Sequence, residues 1–285
     1  MSDDAQWVAD PEPQLRVTDG FRLDAAPTDT HPGFNGGKVE GRRALADTAD
    51  RLADLQERLF ASSRAAGDER RVLLVLQGMD TAGKGGIIKH VVGSVDPQGV
   101  QLAAFKAPTE EELAHDFLWR VRRAVPGPGM IGVFDRSHYE DVLIGRVRRL
   151  APPDEIERRY GAIVEFESEL AAAGVTIVKV MLHISRDEQK ARLMKRLERP
   201  DKHWKFNPGD IDEREQWPHY QDAYQVALER TSTETAPWYV VPADRKWYAR
   251  LAVASLLIGA LESMRLEWPV ADFDVAAELA RLAAS

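Results

Sequence analysis

Val72-Leu73-Leu74-Val75-Leu76-Gln77-Gly78-Met79-Asp80-Thr81-Ala82-Gly83-Lys84-Gly85-Gly86 runs an apolar strand into a glycine-rich loop that ends in lysine. That order builds a phosphate cradle, in which backbone N–H groups and the positive end of the next helix hold polyphosphate oxygens while lysine adds a point charge. The spacing Gly78-x-x-x-x-Gly83-Lys84 fits the P-loop, so Gly78, Met79, Thr81, Ala82, Gly83, Gly85 and Gly86 are the expected phosphate-binding positions beside Lys84. One position departs from the pattern. Gly85 stands where Ser or Thr would ligate magnesium, and the loop carries a carboxylate, Asp80. A carboxylate among phosphates is repulsive unless a cation lies between them, so Asp80 reads as having taken over metal holding. The plainer reading, an ordinary Gly-rich turn, leaves the agreement of motif, preceding strand and following helix unexplained.

Outward from this loop, apolar runs at Val72–Gln77, Val100–Phe105, Met130–Phe134 and Val175–Ile184 predict buried strands, with Trp238–Val241 as a fifth. Helical spacing predicts helices over Glu40–Ala65, Lys84–Ser94, Glu110–Ala124, Pro153–Ala173, Arg186–Arg199, Glu213–Thr231 and Lys246–Leu266. Alternating strands and helices imply an α/β fold with a mainly parallel sheet covered on both faces. Ligands in such folds bind beyond the carboxyl ends of the strands. Residues 1–38 are rich in Asp, Pro, Gly and Thr without periodicity, and read as an arm wrapped on the surface or partly disordered. Residues 39–285 read as a single domain.

The third strand ends in Phe134-Asp135-Arg136-Ser137-His138-Tyr139-Glu140-Asp141. An apolar strand closing on Asp has the form of a Walker B element, whose carboxylate holds Mg2+ directly or through water. Asp135 and Asp80 are thus expected to share one metal site. Arg136 would point into the same cleft, where its planar guanidinium can grip phosphate, or would instead pair with Glu140 or Asp141. His138 and Tyr139 read as packing and hydrogen-bonding groups.

A basic segment follows the fourth strand: Arg186, Lys190, Arg192, Lys195, Arg196, Arg199, Lys202 and Lys205. Such a run is ordinarily a solvated helix face. Here it leads through Pro200 and Pro208-Gly209 into a further helix, the layout of a lid over about residues 186–215 that brings cations over a transferring phosphoryl group. Trp204 and Phe206 either dock that lid or cover the core.

Together, Gly78-Met79-Asp80-x-x-Gly83-Lys84-Gly85-Gly86, the Phe134–Asp141 string and Lys202-x-Trp204-Lys205 to Gly209-Asp210 closely resemble the polyphosphate kinase 2 family, from about residue 33 to about residue 268. The strings Thr231–Glu234, Ala236–Val240 and Trp247-Tyr248 also look like this family. The resemblance implies a thymidylate-kinase-like P-loop fold, three-layer α/β/α with a five-stranded parallel sheet and a helical lid. It also implies dependence on Mg2+, with Mn2+ as a substitute, and reversible phosphoryl transfer between inorganic polyphosphate and a nucleotide. On the same ground Asp80 and Asp135 are catalytic and metal-binding carboxylates, Lys84 and Arg136 contact phosphates, and Arg192, Lys195, Arg196 and Lys202 engage the polyanion. Glu140 and Lys205 complete the expected binding set. Ser137-His138-Tyr139-Glu140-Asp141-Val142 is similar to the subgroup that accepts both mono- and diphosphates, so AMP, ADP and ATP are the expected nucleotides. Dimers or tetramers are implied as well.

Composition sets the outer limits. The chain of 285 residues is 44% hydrophobic with a formal net charge of -8, so bulk attraction to nucleic acid is not expected, while a local basic groove can still hold a polyanion. Zero cysteines exclude disulfides, thiolate metal sites and cysteine nucleophiles. No apolar run approaches a membrane span, and Met1–Asp10 is acidic without a signal peptide's apolar centre, so a cytoplasmic protein is the expectation. Two rival readings share the P-loop: an ATP-dependent nucleoside monophosphate kinase, and a nucleotide-sensing interaction module without turnover.

Overall fold

The computed structural model describes residues 6–285; the first five residues of the expected N-terminal arm lie outside that range. Five strands form the sheet: β1 (Arg71–Gln77), β2 (Val100–Ala104), β3 (Ile131–Asp135), β4 (Val175–His183) and β5 (Trp238–Pro242). Their order is β2-β3-β1-β4-β5, and every pairing is parallel. The parallel α/β fold expected from the alternation is therefore present. β1 and β4 are apolar and buried on both faces because the sheet is covered on both sides.

The helices are α1 (Pro11–Leu15), α2 (Lys38–Ala66), α3 (Lys84–His90), α4 (Glu110–Leu113), α5 (Trp119–Arg122), α6 (Ile144–Val147), α7 (Pro153–Ala172), α8 (Arg186–Leu197), α9 (Gly209–Glu215), α10 (Trp217–Thr231), α11 (Lys246–Ser263) and α12 (Val275–Ala283). α2, α3 and α11 pack together on one face, and α7 and α10 on the other, with α6 against both. The contact of α2 with α11 turns on Gly41, where an added Cβ would lie 2.1 Å from the Trp247 ring. No described helix is long and apolar enough to cross a membrane.

Two predicted helices are broken. The one over Glu110–Ala124 is split into α4 and α5, because the Asp116 carboxylate accepts from Leu118 N (3.0 Å) and its carbonyl from Trp119 N (2.8 Å). That local turn competes with the helical ladder. The one over Glu213–Thr231 is split into α9 and α10 at Pro218, which has no N–H to continue the first helix and suits the opening turn of the second. α3 stops at His90 and continues as a single 3-10 turn at Val92–Ser94, and α11 ends at Ser263 rather than Leu266.

Residues 6–36 pack against the molecule, burying Leu15, Val17, Leu23 and Phe34. Val17 N bonds Trp238 O on the outer edge of β5 (2.8 Å), and Thr28 Oγ1 donates to the Asp244 carboxylate (2.8 Å). On the α7–α10 side lies a buried polar cluster. Lys179, on β4, donates to Glu167 (2.6 Å), to Tyr139 Oη (2.9 Å) and to Thr231 O (2.7 Å). His138 Nε2 and Tyr139 Oη both meet Glu167, at 3.1 and 2.9 Å. Burial pushes the Glu167 carboxyl up, but the Lys179 ammonium and His138 outweigh it and leave it below the usual range. The cluster pins the turn that follows β3 to α7 and β4.

Candidate active site

The carboxyl ends of β1 and β3 lie side by side, with Leu76 in register with Asp135. β1 opens into Gly78–Gly83, a loop whose backbone needs glycine: Gly78 and Gly83 have φ of 149° and 123°. An added Cβ on Gly78 would also sit 2.7 Å from Leu182 O, so the loop lies directly against the end of β4. Lys84 opens α3 and donates to Gly78 O at 2.8 Å, folding back over the loop. Burial lowers its pKa, against the opposing pull of Asp80.

Arg136 leaves β3 with φ of 63° and pairs with Asp80 at 3.3 Å. Of the two alternative partners expected for it, Asp141 is taken by Arg159 (3.3 Å) and Arg120 (3.7 Å), whereas Glu140 acts on its charge. Burial works against the Arg136 charge, but Glu140, Asp80 and Asp135 together raise its pKa. Glu140 lies on the same side; burial raises its carboxyl, opposed by Arg136 and Lys84. Asp80, Lys84, Asp135 and Arg136 thus converge on one cleft of about 960 Å³.

The predicted lid supplies one wall. α8 and the 3-10 turn at Pro200–Lys205, with Arg199 between them, carry Arg192, Lys195, Arg196, Arg199, Lys202 and Lys205 to the cleft. Their charges are not equally free. Arg196 is tied to Lys205 O (3.1 Å) and Asp210 (3.5 Å), and Arg199 and Lys202 meet Asp201 at 2.9 and 3.2 Å. Lys205 lies over the exposed Trp204 ring, 4.8 Å from its centre. Arg192 is buried and bonded wholly within the protein.

The opposite wall was not read from the sequence. Lys89 and His90 from α3, Lys106 after β2, and Lys246 and Arg250 from α11 all line the cleft. None has a carboxylate ion-pair partner among the described residues. The pKa of Lys246 is lowered by burial and by Arg192, that of Arg250 by burial and Arg42, and that of His90 by burial, Arg250 and Lys89. Glu188 partly offsets this at Lys246, and an anion in the cleft would relieve the remaining mutual repulsion. The available signal was the pair Lys246 and Arg250, four apart at the start of an otherwise apolar helix that follows a strand end.

The Polyphosphate kinase 2 family model matches residues 37–269, which include every group of this cleft. The chain belongs to the polyphosphate kinase 2 family. Among its relatives in that family, the AMP/ADP-polyphosphate phosphotransferase of Meiothermus ruber is 47% identical over 249 residues, covering 87% of this chain and 91% of that protein. The ADP-polyphosphate phosphotransferase of Rhodopseudomonas palustris is 43% identical, covering 90% and 91%. The crystal structure of polyphosphate kinase 2 from Arthrobacter aurescens superimposes with a TM-score of 0.96 at 58% identity, over 98% of this chain and 99% of that one. The P-loop kinase fold expected of a polyphosphate kinase 2 is therefore present here.

The donor set of this family member can be tested against Mg2+. Among the described residues no group of three or more His, Asp or Glu side chains could hold a metal alone. Mg2+ demands less: it keeps water, takes one or two carboxylates, and fills its octahedron from substrate phosphates. Asp80 and Asp135 beside a P-loop fit an ion shared between protein and polyphosphate.

Proposed function

We propose that this chain transfers the terminal phosphoryl group of inorganic polyphosphate reversibly to nucleoside mono- and diphosphates, converting AMP to ADP and ADP to ATP. The observation that carries the reading is the cleft itself: a P-loop at the centre and cations without carboxylate partners running outward from it on α3 and α11. Polyphosphate has no base or sugar to recognise, so a groove of fixed positive charge is a sufficient receptor, even on an acidic protein. The names of the relatives support the same substrates.

In the proposed reaction an oxygen of the acceptor's terminal phosphate attacks the end phosphorus of polyphosphate in line. A new P–O bond forms while the bond to the next phosphate breaks, and the electron pair leaves with the shortened chain. The attacking phosphate oxygen is already anionic, so no general base and no phosphoenzyme is required. Lys84 and Arg136 offset charge on the equatorial oxygens, and loop N–H groups orient them. Asp80 and Asp135 are the residues that would hold Mg2+, which when bound neutralises phosphate charge and orients donor and acceptor. Arg136 must then exchange its pairing with Asp80 for phosphate.

Residues 186–215 would act as a lid over a single catalytic domain, whose Lys195, Lys202 and Lys205 close on the polyanion and exclude water. The protein would work in the cytoplasm as a dimer or tetramer, which light scattering after size exclusion checks. The decisive test offers purified protein Mg2+, long-chain polyphosphate and AMP, ADP, GMP or GDP separately, with no ATP. ADP and ATP formed from AMP is the expected result. Turnover of ADP alone would narrow the acceptors, and activity only with ATP as donor would overturn the reading.

A further inference from the structure

Three successive carbonyls of the P-loop are held from outside by one helix. Gln189 Nε2 on α8 donates to Asp80 O (3.3 Å), and Arg192 Nη1 donates to Thr81 O and Ala82 O, both at 2.8 Å. Arg192 Nη2 reaches Ala243 O (2.6 Å) and Asp244 O (3.0 Å) after β5, and Nε reaches Glu188 (2.6 Å). A guanidinium has five N–H donors, so none is left for a ligand. The side chain is only 4% exposed.

Turning these carbonyls toward α8 has a consequence for the opposite edge of each peptide. C=O and N–H of one trans peptide point in opposite directions. With Asp80 O and Ala82 O facing α8, the N–H groups of Thr81 and Gly83 face away from it, and neither has an acceptor among the described residues. The Ala82 N–H is used within the loop, donating to Met79 O at 3.0 Å. Thr81 has φ of 67°, a sparsely populated conformation for a β-branched residue that its surroundings must hold in place.

We propose that Arg192 and Gln189 are positioning residues that shape the P-loop's phosphate-binding N–H groups from behind, and that Arg192 is not itself a phosphate-binding cation. Arg192 joins the loop after β1, the helix after β4 and the turn after β5, so the root of the lid and the cradle are fixed to one another. The catalytic meaning of this arrangement rests on the polyphosphate reading; the geometry of the clamp does not.

The test compares full-length R192K, R192M and Q189A with the wild type. Hydrogen exchange of the peptide spanning residues 78–86 is followed in the free protein, and kcat and KM for polyphosphate are measured separately. Lysine keeps the charge but cannot reach four carbonyls, so R192K is expected to behave like R192M. Both should show about tenfold faster exchange in the loop and about 10²-fold lower kcat, with exchange in β1 and β4 unchanged. Q189A, which removes one contact only, should show a smaller change of the same kind. The clamp is overturned if loop exchange matches wild type, or if R192K retains kcat while R192M only raises KM for polyphosphate. Should the wild type fail to use polyphosphate at all, the functional reading falls and the exchange comparison still decides the clamp.

Discussion

Two lysines, each close to a carboxylate and both within the same sheet framework, have opposite fates. Lys179 sits mid-strand with all three donors bonded inside the protein, to Glu167, Tyr139 and Thr231. Lys84 sits past a strand end, bonded among the described residues only to Gly78 O, with Asp80, Asp135 and Arg136 around it and a cleft in front. The first cluster is closed and can only hold elements together; the second has donors to spare and can act on a substrate. Position along the strand, more than residue type, separates the two.

The largest effect should come from opening the closed cluster. K179M leaves Glu167 buried without its counter-charge, and a loss of about 3–5 kcal/mol in unfolding free energy by urea titration is expected. Replacing both partners, as K179M with E167L, should restore much of it. The same cluster gives a pH signature. A carboxyl depressed in the folded state adds stability that is complete above its unfolded pKa, roughly 4.3, and fades as pH falls through the folded value. The stability advantage of the wild type over E167Q should accordingly be flat near neutrality and shrink only in acid; an advantage that disappears near pH 7 contradicts the assignment.

Next in size, K84M should lower kcat by roughly 10²–10³-fold, the range for loss of one donor aimed at developing charge. Its thermal midpoint should stay near that of the wild type, unlike that of K179M, and a matched loss of both would erase the contrast. T28V removes the side-chain member of the two hydrogen bonds that tie Thr28 to Asp244, leaving the one from Asp244 N to Thr28 O, and should cost about 1 kcal/mol by urea titration. The smallest changes belong to the open cluster's rim. R250A and K246A should each raise KM for polyphosphate about two- to fivefold at low salt, an effect of about 1 kcal/mol or less that fades as ionic strength rises.

Much of this contrast was legible in the chain. Glycine spacing around Lys84 and the strand that closes on Asp135 announced the open cluster, because such patterns reflect local backbone demands. All five strands stood out as apolar runs. Lys179 drew no notice, since one lysine inside β4 shows nothing of the three partners that reach it from α7, α10 and the turn after β3. Arg192 looked like a lid cation because a sequence displays charge and not the carbonyls that absorb it. Pro218 was plainly visible, yet the continuing periodicity outweighed it. Lys246 and Arg250 were masked by the apolar character of α11.

Gly41 belongs to no chemical motif, yet it governs how the far wall of the cleft is seated. Glycine inside a helix is unfavourable by about 1 kcal/mol relative to alanine, and here its missing side chain is the space that the Trp247 ring fills. Trp247 adjoins Lys246 and lies on the helix that carries Arg250. The chain is therefore free to drift at position 41 only in step with position 247: a methyl group gained on α2 must be matched by a smaller side chain on α11, or the two cations turn away from the cleft.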